Sequence, residues 1–377
     1  MEYMTGVLND GTTPYSAFRE NEGKVVSIKG AIHNIRDMSD FAFIILRTAR
    51  ELIQCVYSPE FSDYRLTENV VEQASAKITG KVVKSQTRDG SERYELQIHN
   101  IEILSVPAAI PPVVINKKQV NCDLNVDLDF RPVTLRNPKE RAVFKIQEGI
   151  QRGFREHLMN NGFTEIHTPK INFAGAEGGT NVFKLDYFGK TVFLAQSPQL
   201  YKQALVPVYE RVFEVGPVFR AEHHDTSRHL NEYISMDFEM GFIDSFTDIM
   251  EMETGVLKYI MDLLKREYAP EIELLKADIP VVDKIPCIRF KDAKEMCVKK
   301  LKNITDMKDF EPEEEAFLGK WAKQQYGSDF LFVTHYLSKK RPFYTMDDPE
   351  DPEVTLSFDL LFRGIEITSG GQRIHDY

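Results

Sequence analysis

The sequence is poor in cysteine and tryptophan and lacks any long hydrophobic run. Its 377 residues include four cysteines and one tryptophan. None of the cysteines forms a close Cys-x-x-Cys pair, so neither a zinc site nor a disulfide framework is indicated. No apolar stretch is long enough to cross a bilayer, and the first residues lack the basic and apolar regions of a signal peptide. We therefore expect a cytoplasmic protein without a membrane partner.

Two phosphate-binding signatures are also absent. The chain contains neither the Gly-x-Gly-x-x-Gly pattern of dinucleotide-binding folds nor the Gly-x-x-x-x-Gly-Lys-Ser/Thr pattern of P-loop enzymes. The formal net charge of −11 argues against a protein that mainly coats nucleic acid, although local basic surfaces remain compatible with it. The length favours two domains, one small and one large.

Residues 1–104 have the pattern of a small β-barrel. Apolar and polar residues alternate in strand-like runs, and the Asp89-Gly90 pair is a favoured hairpin turn between two of them. Five short strands in about a hundred residues predict an OB-fold. Such barrels stack bases of single-stranded nucleic acid on aromatic side chains within a basic groove, and Arg36, Phe43 and Arg47 are the candidates for that surface. The alternative is that the phenylalanine belongs to the core.

Prolines at 107, 111 and 112 predict a linker over residues 105–121. The second domain, 122–377, begins with a helix that has Asn137 as N-cap and Pro138 in its first position. Helical and strand-like segments follow, and Ile234 to Phe242 alternates between apolar and polar positions. The whole pattern predicts an α+β fold, with an antiparallel sheet flanked by helices.

The residues that carry chemistry concentrate in 219–242, FRAEHHDTSRHLNEYISMDFEMGF. One strand ends in Arg220 and Glu222, a polar loop holds Arg228 and His229, and a second strand returns with Asp237. Arginine matches phosphate oxygens with a forked pair of donors. The plainer interpretation is a surface hairpin crossed by salt bridges.

This segment resembles motif 2 of class II aminoacyl-tRNA synthetases, and four other segments resemble parts of the aspartyl enzymes of the archaeal and eukaryotic type. Residues 137–169 resemble motif 1, which builds the dimer interface in that class. The other three are AGAEGGTNVF (174–183), QSPQLYKQ (196–203) and DLLFRGIEITSGGQRIHD (359–376). Several motifs in the right order are far more specific than one. The resemblance implies an OB-fold anticodon-binding domain, a class II catalytic domain and a homodimer.

The resemblance also implies roles for individual residues. Arg220 would hold the ATP α-phosphate, Glu222 would meet the adenosine or the tRNA acceptor end, and Arg228 with His229 would grip the triphosphate. The implied aspartate site consists of Glu177, Gln199, Lys202, Asp237 and Arg373. Magnesium would be bound by Asp359, Glu366 and Ser369, whose hard oxygen ligands suit that ion. The implied partners are L-aspartate, ATP and tRNA-Asp, with tRNA-Asn left open.

Two local patterns favour aspartate over asparagine. Met236-Asp237-Phe238-Glu239 and Gln372-Arg373-Ile374-His375-Asp376 resemble the aspartyl versions of their motifs. A guanidinium at Arg373 can pair with a carboxylate, whereas a neutral amide offers it no opposite charge. Ala31 departs from the family, since many relatives carry tryptophan there, and this bears on tRNA choice.

The family's motif 3 is expected after Tyr377, so we expect the given sequence to be incomplete and the activity of this chain to depend on residues beyond it. Two alternatives stay open on sequence grounds. One is an asparaginyl-tRNA synthetase, and the other is a tRNA-binding or regulatory paralogue that has lost adenylation.

Overall fold

A computed structural model of the chain describes residues 11–63, 66–87, 90–173, 182–222, 230–301, 304 and 306–376. Two compact units divide the chain between Glu140 and Arg141. The predicted domain bounds at 104 and 122 stay a prediction, because compactness alone does not mark where a domain folds independently.

The first unit contains a closed barrel of five strands in the order β1-β2-β3-β5-β4. The strands are β1 (Val25–Asp37), β2 (Ala42–Arg47), β3 (Leu52–Tyr57), β4 (Ser75–Gln86) and β5 (Glu92–Ser105). Alternation explains the barrel, because every second residue is buried in β2, and in β4 as far as Val82, while the residues between them are more exposed. Strands β4 and β5 pair antiparallel as predicted, and Asp89 of the predicted turn lies outside the described residues.

The barrel core is aliphatic, and its centre includes Ile28, Ile32, Ile44 and Leu46. Gly80 is required where β4 meets β5, since a Cβ there would lie 2.1 Å from the carbonyl oxygen of Gln97. Two short helices follow the barrel, α1 (Leu124–Asp129) and α2 (Arg131–Thr134). In the described part of the chain, no helix is both long and apolar enough to cross a membrane.

The second unit is built around two long helices, α3 (Pro138–Asn160) and α5 (Thr247–Glu267). The predicted start of α3 is confirmed, because the Lys139 amide donates a 2.9 Å hydrogen bond to the Asn137 side chain. Gly153 lets the two helices approach closely, since a Cβ there would lie 3.1 Å from the Cα of Ile260. Phe154 of α3 also packs edge-on against Phe213, at 5.9 Å between ring centroids.

The remaining helices and strands of this unit are short. The helices are α4 (Gln199–Tyr209), α6 (Ala269–Leu275), α7 (Phe290–Lys300) and α8 (Pro312–Tyr326). The strands are β6 (Thr164–Glu165), β7 (Ile171–Asn172), β8 (Lys184–Tyr187), β9 (Lys190–Leu194), β10 (Arg211–Phe219), β11 (Glu232–Met240), β12 (Cys287–Arg289), β13 (Phe330–Thr334), β14 (Asp347–Asp348), β15 (Asp351–Thr355), β16 (Ser357–Phe362) and β17 (Ile365–Gly371).

Two of the sheets carry the candidate site. One has the order β11-β10-β6 and the other β12-β13-β16-β17. Most pairings in them are antiparallel, and β6–β10 and β12–β13 are parallel. The predicted α+β class, with an N-terminal barrel and an antiparallel sheet flanked by helices, is confirmed.

Candidate active site

The hairpin of β10 and β11 places its acidic residues on one face. Asp237 and Glu239 are two residues apart on β11, so their side chains point the same way. Helix α4 packs against both strands and carries Gln199 and Lys202, which are three residues apart and therefore neighbours on the helix surface. The Lys202 ammonium donates a 3.0 Å hydrogen bond to Asp237 and lies 3.6 Å from Glu239. The Gln199 amide donates to Glu239 at 3.1 Å.

Arg373 completes this buried network from the chain beyond β17. Its Nε donates to Glu239 Oε1 at 2.8 Å, and its Nη2 donates to Gln199 Oε1 at 3.2 Å. The guanidinium also lies over the ring of Tyr344, 5.1 Å from the centroid. Four of the predicted aspartate-binding residues therefore lie in one network, in which Glu239 links the Gln199–Arg373 pair to the Lys202–Asp237 pair. Gln199 and Arg373 are 174 residues apart in sequence.

The network keeps its carboxylates charged. Burial works to raise the pKa of Asp237, but the positive charge of Lys202 and hydrogen bonds from Ser235 and Lys202 outweigh it, so the pKa lies below its ordinary value. Burial also works to raise the pKa of Glu239, and there the charges of Arg373 and Lys202 lower it overall. The site is thus a set of ion pairs at neutral pH.

A second cluster lies on β16 and β17, where the predicted metal ligands Asp359, Glu366 and Ser369 stand. Asp359 is directly opposite Ser369 in the antiparallel register, and Glu366 is opposite Leu361. Arg341 lies 2.7 Å from Asp359 and stacks on the ring of Tyr336 at 3.9 Å. The pKa of Asp359 is raised by burial in spite of Arg341. The pKa of Glu366 is also raised, by loss of solvation and by the nearby charge of Asp359.

These residues fit a hard divalent cation. Both carboxylates are disfavoured in their charged form, and Asp359 Oδ1 is buried without a hydrogen bond of normal geometry. Magnesium takes oxygen ligands and commonly uses one or two carboxylates together with substrate phosphates. Within the described ranges, no group of three or more His, Cys, Asp or Glu side chains gathers in a metal-binding arrangement. The protein therefore offers two carboxylates and a hydroxyl, and a phosphate would supply further oxygens.

Among the residues predicted to bind ATP, Arg220 and Glu222 are described in the structure and the others are not. The Arg220 amide donates to the Asn231 carbonyl at 3.0 Å just beyond β10, and its guanidinium lies 5.8 Å from the centre of the Tyr233 ring. The Glu222 amide donates to the Arg220 carbonyl at 2.8 Å. Arg228, His229 and Glu177 lie outside the described residues.

The predicted anticodon residues lie on the first unit. Arg36 and Phe43 are direct partners in the register of β1 and β2, and Phe43 lies on the outer side of β2, away from the buried residues. Arg47 is on the same side and contacts His33 and Gln73, at 3.1 and 3.2 Å. Phe43 is half-buried and packs against Phe41, so its role as a stacking surface stays a prediction.

Sequence reasoning missed several residues of these clusters, namely Lys170, Glu214, Glu239, Glu253, Arg341 and Tyr344. Glu214 had a visible signal, because it is the only acidic residue in the strand RVFEVGPVF. Glu253 is buried on α5, and burial raises its pKa to about 7. Its position in a helix gave no such signal, since glutamate is common in helices.

Comparisons with known proteins agree with this geometry. The family model described as tRNA synthetases class II (D, K and N) matches residues 123–377, and the OB-fold nucleic acid binding domain matches residues 26–104. The aspartate–tRNA(Asp/Asn) ligase of Deinococcus radiodurans is 46% identical over 95% of this chain and 82% of the relative. The aspartate–tRNA(Asp) ligase of Pyrococcus abyssi is 35% identical over 94% and 82%.

Solved structures show the same fold. The asparaginyl-tRNA synthetase of Pyrococcus horikoshii, complexed with asparaginyl-adenylate, has a TM-score of 0.84 at 26% identity, with 95% of this chain and 82% of that chain covered. A putative aspartyl-tRNA synthetase from Leishmania major has a TM-score of 0.82 at 27% identity, with 99% and 84% covered.

The fold and the site define a class II synthetase built on an OB-fold and a catalytic domain. The chain belongs to the class II tRNA synthetases (D, K and N), and within them to the family of its 46% identical relative, the aspartate–tRNA ligases. The resemblance stated from the sequence motifs is confirmed.

Proposed function

We propose that the protein activates L-aspartate with ATP to aspartyl-adenylate and transfers the aspartyl group to tRNA. The observation that carries this proposal is the pair of cations, Lys202 and Arg373, held in one buried network. Their fixed positions suit a ligand with a side-chain carboxylate. The identity with aspartate–tRNA ligases over nearly the whole chain supports the same reaction.

Arg373 is arranged to bind a second carboxylate. A guanidinium has five N–H donors, and Glu239 and Gln199 occupy Nε and Nη2. In the described part of the chain, no hydrogen bond is made by Nη1. We infer that this nitrogen, with the Lys202 ammonium, reads the side chain of aspartate. An asparagine amide carries no charge, so it cannot form the ion pairs that an aspartate carboxylate would form with these two cations.

The first reaction step needs no general base. The attacking group is the α-carboxylate of aspartate, which is ionised at neutral pH because its pKa lies near 3.5. The protein must align this group with the α-phosphorus and neutralise the charge that develops on the phosphates. We assign that neutralisation to Arg220, and to Arg228 and His229 of the same hairpin.

We further propose that Asp359, Glu366 and Ser369 hold Mg2+ in this site. The ion would supply additional charge neutralisation at the triphosphate. Arg341 keeps Asp359 in place, and Glu366 stands on the neighbouring strand at the open side of the cluster.

The tRNA partner is proposed from the first unit. Arg36 and Phe43 form a basic and aromatic pair on the outer face of the barrel, and such pairs stack bases of single strands. We propose that they, with Arg47, contact the anticodon. The curated relatives include both aspartate–tRNA(Asp) and aspartate–tRNA(Asp/Asn) ligases, so charging of tRNA-Asn as well is an open part of the proposal. Because tRNA charging serves translation, we propose a cytoplasmic location.

We also propose that the protein is a homodimer through the region 137–169. Phe144 and Met159 of α3 and Ile234 of β11 are exposed and line one groove. Strand β11 is also at the edge of its sheet in the described part of the chain, and exposed apolar side chains beside a strand edge favour association. Sedimentation equilibrium of the wild type and of Phe144→Asp tests this, with a dimer expected only for the wild type.

The test of the reaction is ATP–pyrophosphate exchange with aspartate and asparagine supplied separately. We expect exchange with aspartate, loss of exchange in Arg220→Ala, and an unchanged oligomeric state in that variant. Exchange with asparagine instead would contradict the role of Arg373. Absence of exchange with either amino acid would favour a tRNA-binding role without adenylation.

A further inference from the structure

The buried network does not end at Asp237, because a third carboxylate stands beside it. Glu214 on β10 is directly opposite Asp237 in the register of the hairpin, so the two side chains share one face of the sheet. Glu214 is 3% exposed. Like charges directly opposite each other on a sheet destabilise it, so this pair requires a cation nearby.

Lys170 supplies that cation. Its ammonium lies 2.9 Å from Glu214 Oε2 and donates to the Thr168 hydroxyl at 3.1 Å. Thr168 also donates to both oxygens of Glu214, through its amide at 2.9 Å and its hydroxyl at 2.8 Å. The positive charge of Lys170 contributes to the low pKa of Asp237. Glu214 therefore holds Lys170 in a position from which its charge acts on the aspartate-reading residues.

The resulting network is balanced in charge. Three carboxylates, Glu214, Asp237 and Glu239, face three cations, Lys170, Lys202 and Arg373. A bound aspartate adds one negative side-chain charge to this set, whereas a bound asparagine adds none. Charges at such short range in a partly buried site interact strongly. Lys170, which is paired with Glu214 and lowers the pKa of Asp237, is thus part of the net charge that the substrate meets.

We propose that Lys170, held by Glu214, is a positioning residue that favours aspartate over asparagine by setting the net charge of the substrate site. This inference rests on the proposed function. Removal of the Lys170 charge leaves the network with one excess negative charge, which repels the carboxylate of aspartate but not the amide of asparagine. Removal of the Glu214 charge leaves one excess positive charge, which attracts the carboxylate of aspartate.

The experiment uses four full-length variants, Lys170→Gln, Glu214→Gln, the double variant and Lys170→Arg, in ATP–pyrophosphate exchange. Asparagine is added as a competitive inhibitor. For Lys170→Gln we expect the KM for aspartate to rise about tenfold, which corresponds to about 1.4 kcal/mol, with the KM for ATP and the Ki for asparagine unchanged. Glu214→Gln alone should not raise the KM for aspartate. The double variant and Lys170→Arg should return it to near the wild-type value.

A purely structural role gives a different pattern. In that case each substitution would disturb the site, so Glu214→Gln would also raise the KM for aspartate and the double variant would be at least as impaired as either single one. That result would overturn the inference, as would a KM for aspartate in Lys170→Gln equal to that of the wild type. The double variant removes one positive and one negative charge, so it leaves no buried charge unpaired. It therefore remains informative if Lys170→Gln fails to fold.

A matched control is available in the same unit. Lys294 and Glu314 form another buried pair, at 2.6 Å, on α7 and α8, away from the substrate network. Lys294→Gln should leave the KM for aspartate unchanged, and a rise there would count against a charge effect specific to Lys170. Failure of the wild type to catalyse exchange with aspartate would refute the proposed function instead.

Discussion

Two charge clusters of the second unit differ in how their charges are balanced. In the network around Lys202 and Arg373, cations match the carboxylates, and the pKa values of Asp237 and Glu239 are lowered. In the cluster around Asp359 and Glu366, carboxylates exceed cations and their pKa values are raised. The charges of the first cluster are balanced within the protein, whereas we propose that positive charge from a ligand completes the second. We propose that this difference in charge balance separates a site that binds a small anion from a site that binds a cation.

Loss of Arg373 should have the largest effect, because it breaks the balanced network. In Arg373→Leu, the substrate carboxylate would lose its proposed guanidinium partner, and truncating one member of a buried, hydrogen-bonded charge pair weakens binding by about 4 kcal/mol. We expect kcat/KM for aspartate to fall about a thousandfold, with ATP affinity nearly unchanged. Exchange kinetics at varied aspartate and ATP measure this. Unchanged use of aspartate would remove Arg373 from substrate recognition.

Loss of Lys294 should instead affect stability. Lys294 and Glu314 are 3% and 1% exposed, and Glu314 also accepts the amide of Glu311 at the start of α8. We expect Lys294→Met to lower the free energy of unfolding by about 3 kcal/mol while kcat for exchange is retained. Denaturant titration measures the loss of stability, and exchange kinetics at low temperature show whether activity is retained. Equal losses of stability and aspartate affinity would show that the structural and substrate networks are coupled.

Glu253, whose pKa responds to the charge of Asp359, provides a test of the cluster around Asp359 and Glu366. Burial raises its pKa from 4.5 to about 7, and the charge of Asp359 adds to this. The folded state therefore binds the proton more tightly than the unfolded chain, so stability is highest near or below pH 4.5 and falls as the pH rises through about 7. Glu253→Gln should remove this fall and stabilise the protein at pH 8 by on the order of 2 kcal/mol.

The measurement for Glu253 is the free energy of unfolding from pH 5 to pH 8 in the presence of a chelator. A variant whose stability follows the same pH dependence as the wild type would show that Glu253 is already ionised in the fold. The Glu251→Gln variant is a matched control on the same helix, since Glu251 is exposed.

The smallest expected effect is on cation affinity. In Asp359→Asn, one charged oxygen donor is lost and the repulsion toward Glu366 is relieved, so the two changes partly offset. We expect the Mg2+ concentration for half-maximal exchange to rise about tenfold. Direct Mn2+ binding, followed by electron paramagnetic resonance, gives a readout independent of activity. Equal Mn2+ affinity in both proteins would place the metal elsewhere.

Much of this architecture was readable from local patterns. Alternation of apolar residues predicted the barrel strands, and Asn137 with Pro138 predicted the start of α3 because capping depends on neighbouring residues only. The motifs around Arg220, Gln199 and Arg373 identified the family and most of the substrate network. Their roles at the level of single residues stay predictions. The predicted residues Glu177, Arg228 and His229 lie outside the described part of the chain.

The tertiary structure alone decided how the charges are balanced. Glu214 and Asp237 are 23 positions apart, and only the register of β10 and β11 puts them side by side. The pairing of Lys170 with Glu214 and of Arg341 with Asp359 likewise depends on strands that are distant in sequence. A sequence pattern shows that a residue is charged and roughly which face it occupies. Its pKa and partners depend on burial and on distances of a few ångströms, which arise only when the strands pair and the helices pack over them.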